Sequence, residues 1–209
     1  INSCCVDGRK PRDNLKLSSK VFPHLSTENS LADSGSRVLF PHAAYMLGIC
    51  YLKLGEDESK VKELYGKIKG WKRPNQASDQ YSDRKANEYF KDGGFNDAEM
   101  AMVVATCMYE AKTWQALYDH CEALTDLSGW SNEHQALYHF YRATALRGCG
   151  KPEDAVTSLV KAQSFSCKRE TWVFPYCYLE QAEMAVDQGL HDKANEFLKK
   201  AKKIDPTYD

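Results

Sequence analysis

The sequence predicts an all-α chain in which about four helix hairpins stack as a right-handed α-solenoid, with one long insertion between the first and second. Three observations predict it. Ala116, Ala155 and Ala194 recur at intervals of 39 residues, and each has a second alanine seven residues on, Ala123, Ala162 and Ala201. Ahead of them Ala111, Gly150 and Gly189 keep the same interval. Third, the stretches between them place apolar residues at helical spacing, as in Val61, Leu64, Tyr65 and Ile68 at i, i+3, i+4 and i+7. A fixed period is the signature of repeat architectures, and small residues are needed where helix backbones cross closely.

Residues 1–35, rich in Ser, Asn, Lys and Asp, carry little periodicity and are expected to be either a poorly ordered arm or a degenerate repeat. A helical domain over 36–209 follows, with units at about 41–69, 97–127, 131–165 and 170–205. In the first unit Gly55 ends the first helix, where the turn favours a left-handed residue. Lys60 stands where an alanine is expected in its second helix, so that helix is expected to be shifted by a residue. The insertion, at about 70–96, has loops at Pro74–Asn75 and Gly93–Gly94 and one additional helix from Asp79 to Phe90. The unit at 97–127 carries Ala111 in place of the turn glycine. In the next, Gly150 ends the first helix and Pro152 opens the second, where a missing N–H costs nothing. In the last, Gly189 makes the turn and Pro206 stops the final helix.

Composition narrows the function classes. A formal charge of -1 gives no net basic attraction for nucleic acid or an anionic membrane. No apolar run approaches the roughly 18 residues of a membrane span. The N-terminal INSCCVDGRK has neither an initiator Met nor a signal-peptide apolar stretch, and is taken as the start of a fragment or processed product. Eight cysteines form no CxxC pair and fall mostly within helical patterns, so they are expected to be free thiols packed as small apolar side chains in a reducing compartment. His134 and His139, five residues apart, do not share a helical face as paired metal ligands would. No phosphate loop, nucleophile elbow or other catalytic constellation occurs, so no catalytic residue, metal site or cofactor is expected.

The order of small residues, turn glycine, large apolar residue and alanine resembles the tetratricopeptide repeat. Ala182, Gly189, Ala194, Leu198, Ala201 and Pro206 carry the resemblance in the last unit, and Ala143, Gly150, Ala155, Leu159 and Ala162 in the one before. A plain repeat of that type has about 34 residues, so a 39-residue interval implies about one extra helical turn in each linker. The resemblance implies a concave groove lined by the first helix of each hairpin. Its lining would be Tyr45, Met46, Ile49 and Leu52, then Met102, Met108 and Tyr109, then Phe140, Tyr141 and Arg147, then Tyr176, Leu179, Glu180 and Glu183. Such a surface suits an extended peptide or an amphipathic helix held by aromatic anchors and adaptable methionines, or a segment of the same protein. The chaperone-binding version of the repeat carries Lys, Asn and basic residues where Tyr45, Ile49, Met102, Leu137 and Tyr141 stand here, so that clamp is not expected.

A narrower resemblance rests on Glu63–Leu64–Tyr65, Lys72–Arg73–Pro74 and Asp83–Arg84–Lys85–Ala86 in the insertion, and on Val173–Phe174–Pro175 and Lys200–Ala201–Lys202–Lys203 in the last unit. In order and spacing these are similar to the C-terminal part of the tetratricopeptide repeat protein 39 family, which includes the fungal inclusion body clearance protein. The resemblance implies a non-enzymatic cytoplasmic adaptor for another protein, linked to protein turnover, inclusion clearance or lipid droplets. It leaves peripheral membrane association open and carries no catalytic residues over. A structural subunit of a larger multi-protein assembly is the alternative.

Overall fold

A computed structural model describes residues 40–71 and 76–204. The expected N-terminal arm at 1–35, the Pro74–Asn75 loop and Pro206 lie outside the described residues. Among the described residues all regular structure is helical, in nine helices, and none is long and apolar enough to cross a membrane. Two compact units divide the chain, Ile1–Phe95 and Asn96–Asp209.

The first unit holds α1 (Phe40–Leu54), α2 (Glu58–Trp71) and α3 (Ala77–Asp92), each packed on the other two. Gly48 lets α1 and α2 approach closely, because a Cβ there would fall on the ring of Tyr65. In α2 Lys60 is exposed and Val61 buried, so the buried stripe sits one residue later, as expected. The additional helix of the insertion also forms, two residues longer at each end than the predicted Asp79–Phe90. It is the third side of a core and not an excursion from the surface. Tyr89 lies edge-on to Tyr65 with centroids 5.1 Å apart, Phe95 packs on both, and the Tyr89 hydroxyl donates to Glu58 at 2.9 Å.

The second unit holds three helix pairs: α4 (Asp97–Glu110) with α5 (Trp114–Ala123), α6 (Asn132–Gly148) with α7 (Pro152–Gln163), and α8 (Val173–Asp187) with α9 (His191–Ile204). Successive pairs also pack on one another, α4 and α5 on α6, and α6 and α7 on α8. Their starts are set locally. Asn96 accepts the Glu99 N–H at 2.9 Å, Ser131 accepts the His134 N–H at 3.2 Å, and Pro152 occupies the first turn of α7.

The ends of the first helices follow one pattern. A left-handed residue is followed by an N–H that reaches back five residues, as in Lys151 to Leu146 O and Leu190 to Ala185 O. The left-handed residues are Gly150 and Gly189, as predicted. In the α4–α5 turn, however, the left-handed residue is Lys112, at φ 55°, not the predicted Ala111, and Thr113 N–H bonds Met108 O. The turn sits one residue later, and the register of α5 slips with it. Ala116 and Ala123 are exposed, while Leu117 and Cys121 are fully buried in the positions that Ala155 and Leu159 hold in α7. The 39-residue alanine interval therefore holds structurally between the last two pairs and not for the pair before them.

Candidate interaction surface

The expected groove residues fall into two groups. Tyr45 and Met46 belong to the core of the first unit, where Tyr45 stacks on Tyr65 at 6.0 Å and meets Tyr81 and Phe95 edge-on. Met102, Phe140 and Tyr141 are likewise buried in the second unit, and the Tyr141 hydroxyl lies 2.8 Å from Thr106 Oγ1. Each covers its neighbour, which leaves little of it for a ligand. Met108, Tyr109, Arg147, Tyr176 and Glu180 are partly exposed.

Tyr109, Arg147, Tyr176 and Glu180 form one strip on a shared aromatic base, while Met108 packs against the core of the second unit. Tyr109 lies 5.8 Å from Phe140 and 5.7 Å from Tyr141, and Phe140 meets Trp172 and Tyr176 edge-on at 5.6 and 6.3 Å. Such edge-to-face pairs fix ring orientation as well as burying area. Beside them Arg147 of α6 reaches three carboxylates of α8: it donates to Glu180 at 2.9 Å, to Glu183, and to Asp187 at 3.3 Å. Glu183 and Asp187 are exposed, whereas only 14% of the Glu180 side chain is. Burial pushes the Glu180 carboxyl above its usual range, against the pull of Arg147. Burial also disfavours the charge on Arg147, but the hydrogen bonds to Glu183 and Glu180 outweigh it and hold the guanidinium protonated more firmly than usual. Burial, reinforced by Glu180, raises the Tyr109 hydroxyl to about 12, so it remains a neutral donor at any physiological pH. The strip thus offers aromatic faces, a hydroxyl and an acidic edge. Asp187 and Trp172 were not among the expected lining residues. The i, i+3, i+7 spacing of Glu180, Glu183 and Asp187 on α8 was the sequence signal for the acidic edge.

His134 and His139 have structural partners, and the Cys121 and Cys177 thiols are buried. His134 Nε2 lies 2.8 Å from Glu99 Oε2, and its Nδ1 lies 3.1 Å from Ser131, which ties the start of α6 to α4. His139 stacks on Phe165 at 5.8 Å, and burial, then Lys161 and Arg142, lower its pKa to about 4. Burial raises the Cys121 and Cys177 thiols to about 12, and the described cysteines are all free. No group of three or more His, Cys, Asp or Glu among the described residues could hold a metal ion. Glu133, in the first turn of α6, accepts the N–H groups of Lys168 and Arg169 at 3.0 and 2.8 Å and thereby clamps the α7–α8 linker. Comparison of the chain with protein-family models, with curated proteins and with solved structures gives no match.

Proposed function

We propose that the chain is a non-enzymatic interaction scaffold, a right-handed solenoid of tetratricopeptide-like hairpins that holds a peptide or amphipathic helix of another protein. The observation that carries this reading is the half-exposed strip of Tyr109 and Tyr176 beside the Arg147–Glu180 pair. Aromatic side chains at the margin of a rigid core are good anchors, because they bury a large area at little cost in conformational entropy. The exposed carboxylates of Glu183 and Asp187 favour a segment with a basic residue near its apolar anchors. The link to protein turnover, inclusion clearance or lipid droplets, a cytoplasmic location and the narrower family all belong to this reading and rest on the sequence resemblance.

The test is affinity capture by the immobilised full chain from a lysate of its own cells, with Tyr109→Ala and Glu183→Lys compared with the unaltered chain. Both variants are expected to lose the same captured protein while keeping helical circular dichroism. An identical captured set for all three chains overturns the reading.

A further inference from the structure

Ser131, His134 and Glu99 form a continuous hydrogen-bonded relay across two helices. Ser131 Oγ lies 3.1 Å from His134 Nδ1, and His134 Nε2 lies 2.8 Å from Glu99 Oε2. An ionised carboxylate only accepts, so its bond fixes the proton on Nε2 and leaves Nδ1 to accept from the Ser131 hydroxyl. A second bond holds the serine in place. As the cap of α6, Ser131 Oγ accepts the His134 N–H at 3.2 Å, which ties the oxygen to the residue whose ring faces it. One lone pair of the hydroxyl remains for attack on an electrophile.

Burial is graded along the relay in the order such chemistry needs. Glu99 is 9% exposed, the His134 side chain is 16% exposed, and Ser131 is open to solvent. The mostly buried carboxylate keeps its bond to the ring, while the hydroxyl stays within reach of a reagent. Trp130, edge-on to the His134 ring at 6.3 Å, gives the imidazole an apolar neighbour. The first-turn N–H groups of Asn132 and Glu133 have no acceptor within α6 and stand at the same helix end, where developing negative charge is favoured. Two other serines are built differently. Ser128 Oγ donates to Asp126 Oδ1 at 2.7 Å, and the buried Ser82, which also approaches an imidazole, donates to Ser78 O at 2.8 Å. Sequence alone shows only the Ser131–His134 spacing, and the packing of α4 on α6 supplies Glu99.

We propose that Ser131 is an acyl-acceptor site, modified by an activated acyl donor of the thioester or aryl ester class, with His134 as its base and Glu99 orienting the ring. Ser131 Oγ attacks the acyl carbon as its proton passes to Nδ1. The carbonyl electron pair moves onto oxygen, which the first-turn N–H groups stabilise. Glu99 stabilises the imidazolium that forms. Collapse of this intermediate expels the thiolate or phenolate, which takes the proton back from Nδ1. One Ser131 ester and one free thiol or phenol result. The product is a modified chain, so the step asks for no turnover. This site is separate from the strip around Tyr109 and Tyr176, and neither depends on the other.

The probe is p-nitrophenyl acetate, reacted with the intact chain, with acetylation mapped and timed by peptide mass spectrometry. Acetylation of Ser131 is expected to run about a hundredfold faster in the folded chain than in urea, where the relay is dispersed. His134→Ala is expected to slow it about a hundredfold, and Glu99→Gln about tenfold or more. Ser128→Ala is expected to leave the rate unchanged, and circular dichroism identical across the variants accompanies these results. The comparison with urea uses the unaltered chain, so it decides the matter even if a variant loses the contact between α4 and α6. Ser131 acetylated no faster in the folded chain than in urea overturns the proposal. Equal rates with and without His134 in folded chains overturn it too, as does acetylation confined to lysines and cysteines.

Discussion

The indole of Trp114, at the start of α5, occupies the space in which a side chain at Gly148, at the end of α6, would begin. Gly148 sits in regular helix, so its value there is space and not backbone freedom. Gly148→Ala forces the indole or the helix to move and is expected to cost about 1–3 kcal/mol of stability. Gly66→Ala in α2, where nothing lies within 4 Å of the new methyl, is expected to stabilise by about 0.5–1 kcal/mol through its helix propensity. Urea unfolding of the two variants separates the effects, and a loss at both positions would show that propensity is not what distinguishes them.

Arg147 and Glu180 form a second testable pair. Arg147→Met keeps the aliphatic stem but leaves the mostly buried Glu180 carboxylate without its cation, at an expected cost of about 2 kcal/mol near neutral pH. The pH dependence has a defined sign. Burial already raises the Glu180 pKa, and removing Arg147 raises it further, so the folded variant binds its proton more tightly than the unfolded chain. The penalty is therefore small below the unfolded carboxyl pKa of about 4.3 and grows as the pH rises through it. Adding Glu180→Gln to the variant is expected to restore part of the loss at pH 7, and melting temperatures of both chains across pH 4–7 measure it.

His139 acts in the opposite sense. Its folded pKa of about 4 lies below the unfolded value of about 6.5, so between these values the unfolded chain binds more protons. Its contribution to stability is complete above pH 6.5 and is lost as the pH falls towards about 4. His139→Phe, which keeps a ring against Phe165, is expected to flatten the melting temperature over that interval while leaving its slope below pH 4 unchanged.

The register of α5 is tested by two adjacent residues. Leu117→Ala removes a fully buried side chain and is expected to cost about 2–5 kcal/mol. Ala116→Lys, on the exposed side, is expected to change stability by no more than about 0.5 kcal/mol. Thermal or urea unfolding of the two gives the contrast, and equal losses would place Ala116 back in the core.

Much of the chain was legible from local chemistry. Gly150, Gly189 and Pro152 mark turns and a helix start through properties of their own backbones, so no distant contact is needed to read them. The additional helix of the insertion was visible for the same reason, since Asp79 to Phe90 contains no breaker and Gly93 ends it. The slip at α5 was hidden because Ala116 and Ala123 reproduce the interval by composition, while the burial of Leu117 depends on where Lys112 turns the chain. The interaction strip was half legible. Sequence placed Tyr109, Phe140, Tyr141 and Tyr176 on the first helices of their hairpins, but which rings stay accessible depends on the helix packed over each one.

By itself, then, the sequence determined that the chain is helical, where most helices begin and end, and which residues are small enough for close crossings, because these follow from backbone preferences and spacing within a few turns. Tertiary packing decided the rest. It buried Tyr45, Met102, Phe140 and Tyr141, paired Arg147 with an acidic edge 33 to 40 residues away, made the insertion a core element, and left Leu198 exposed where Leu159 is covered. Burial is a property of what lies opposite a side chain, and residues alike in sequence acquire different surroundings once one of them has a helix packed against it and the other does not.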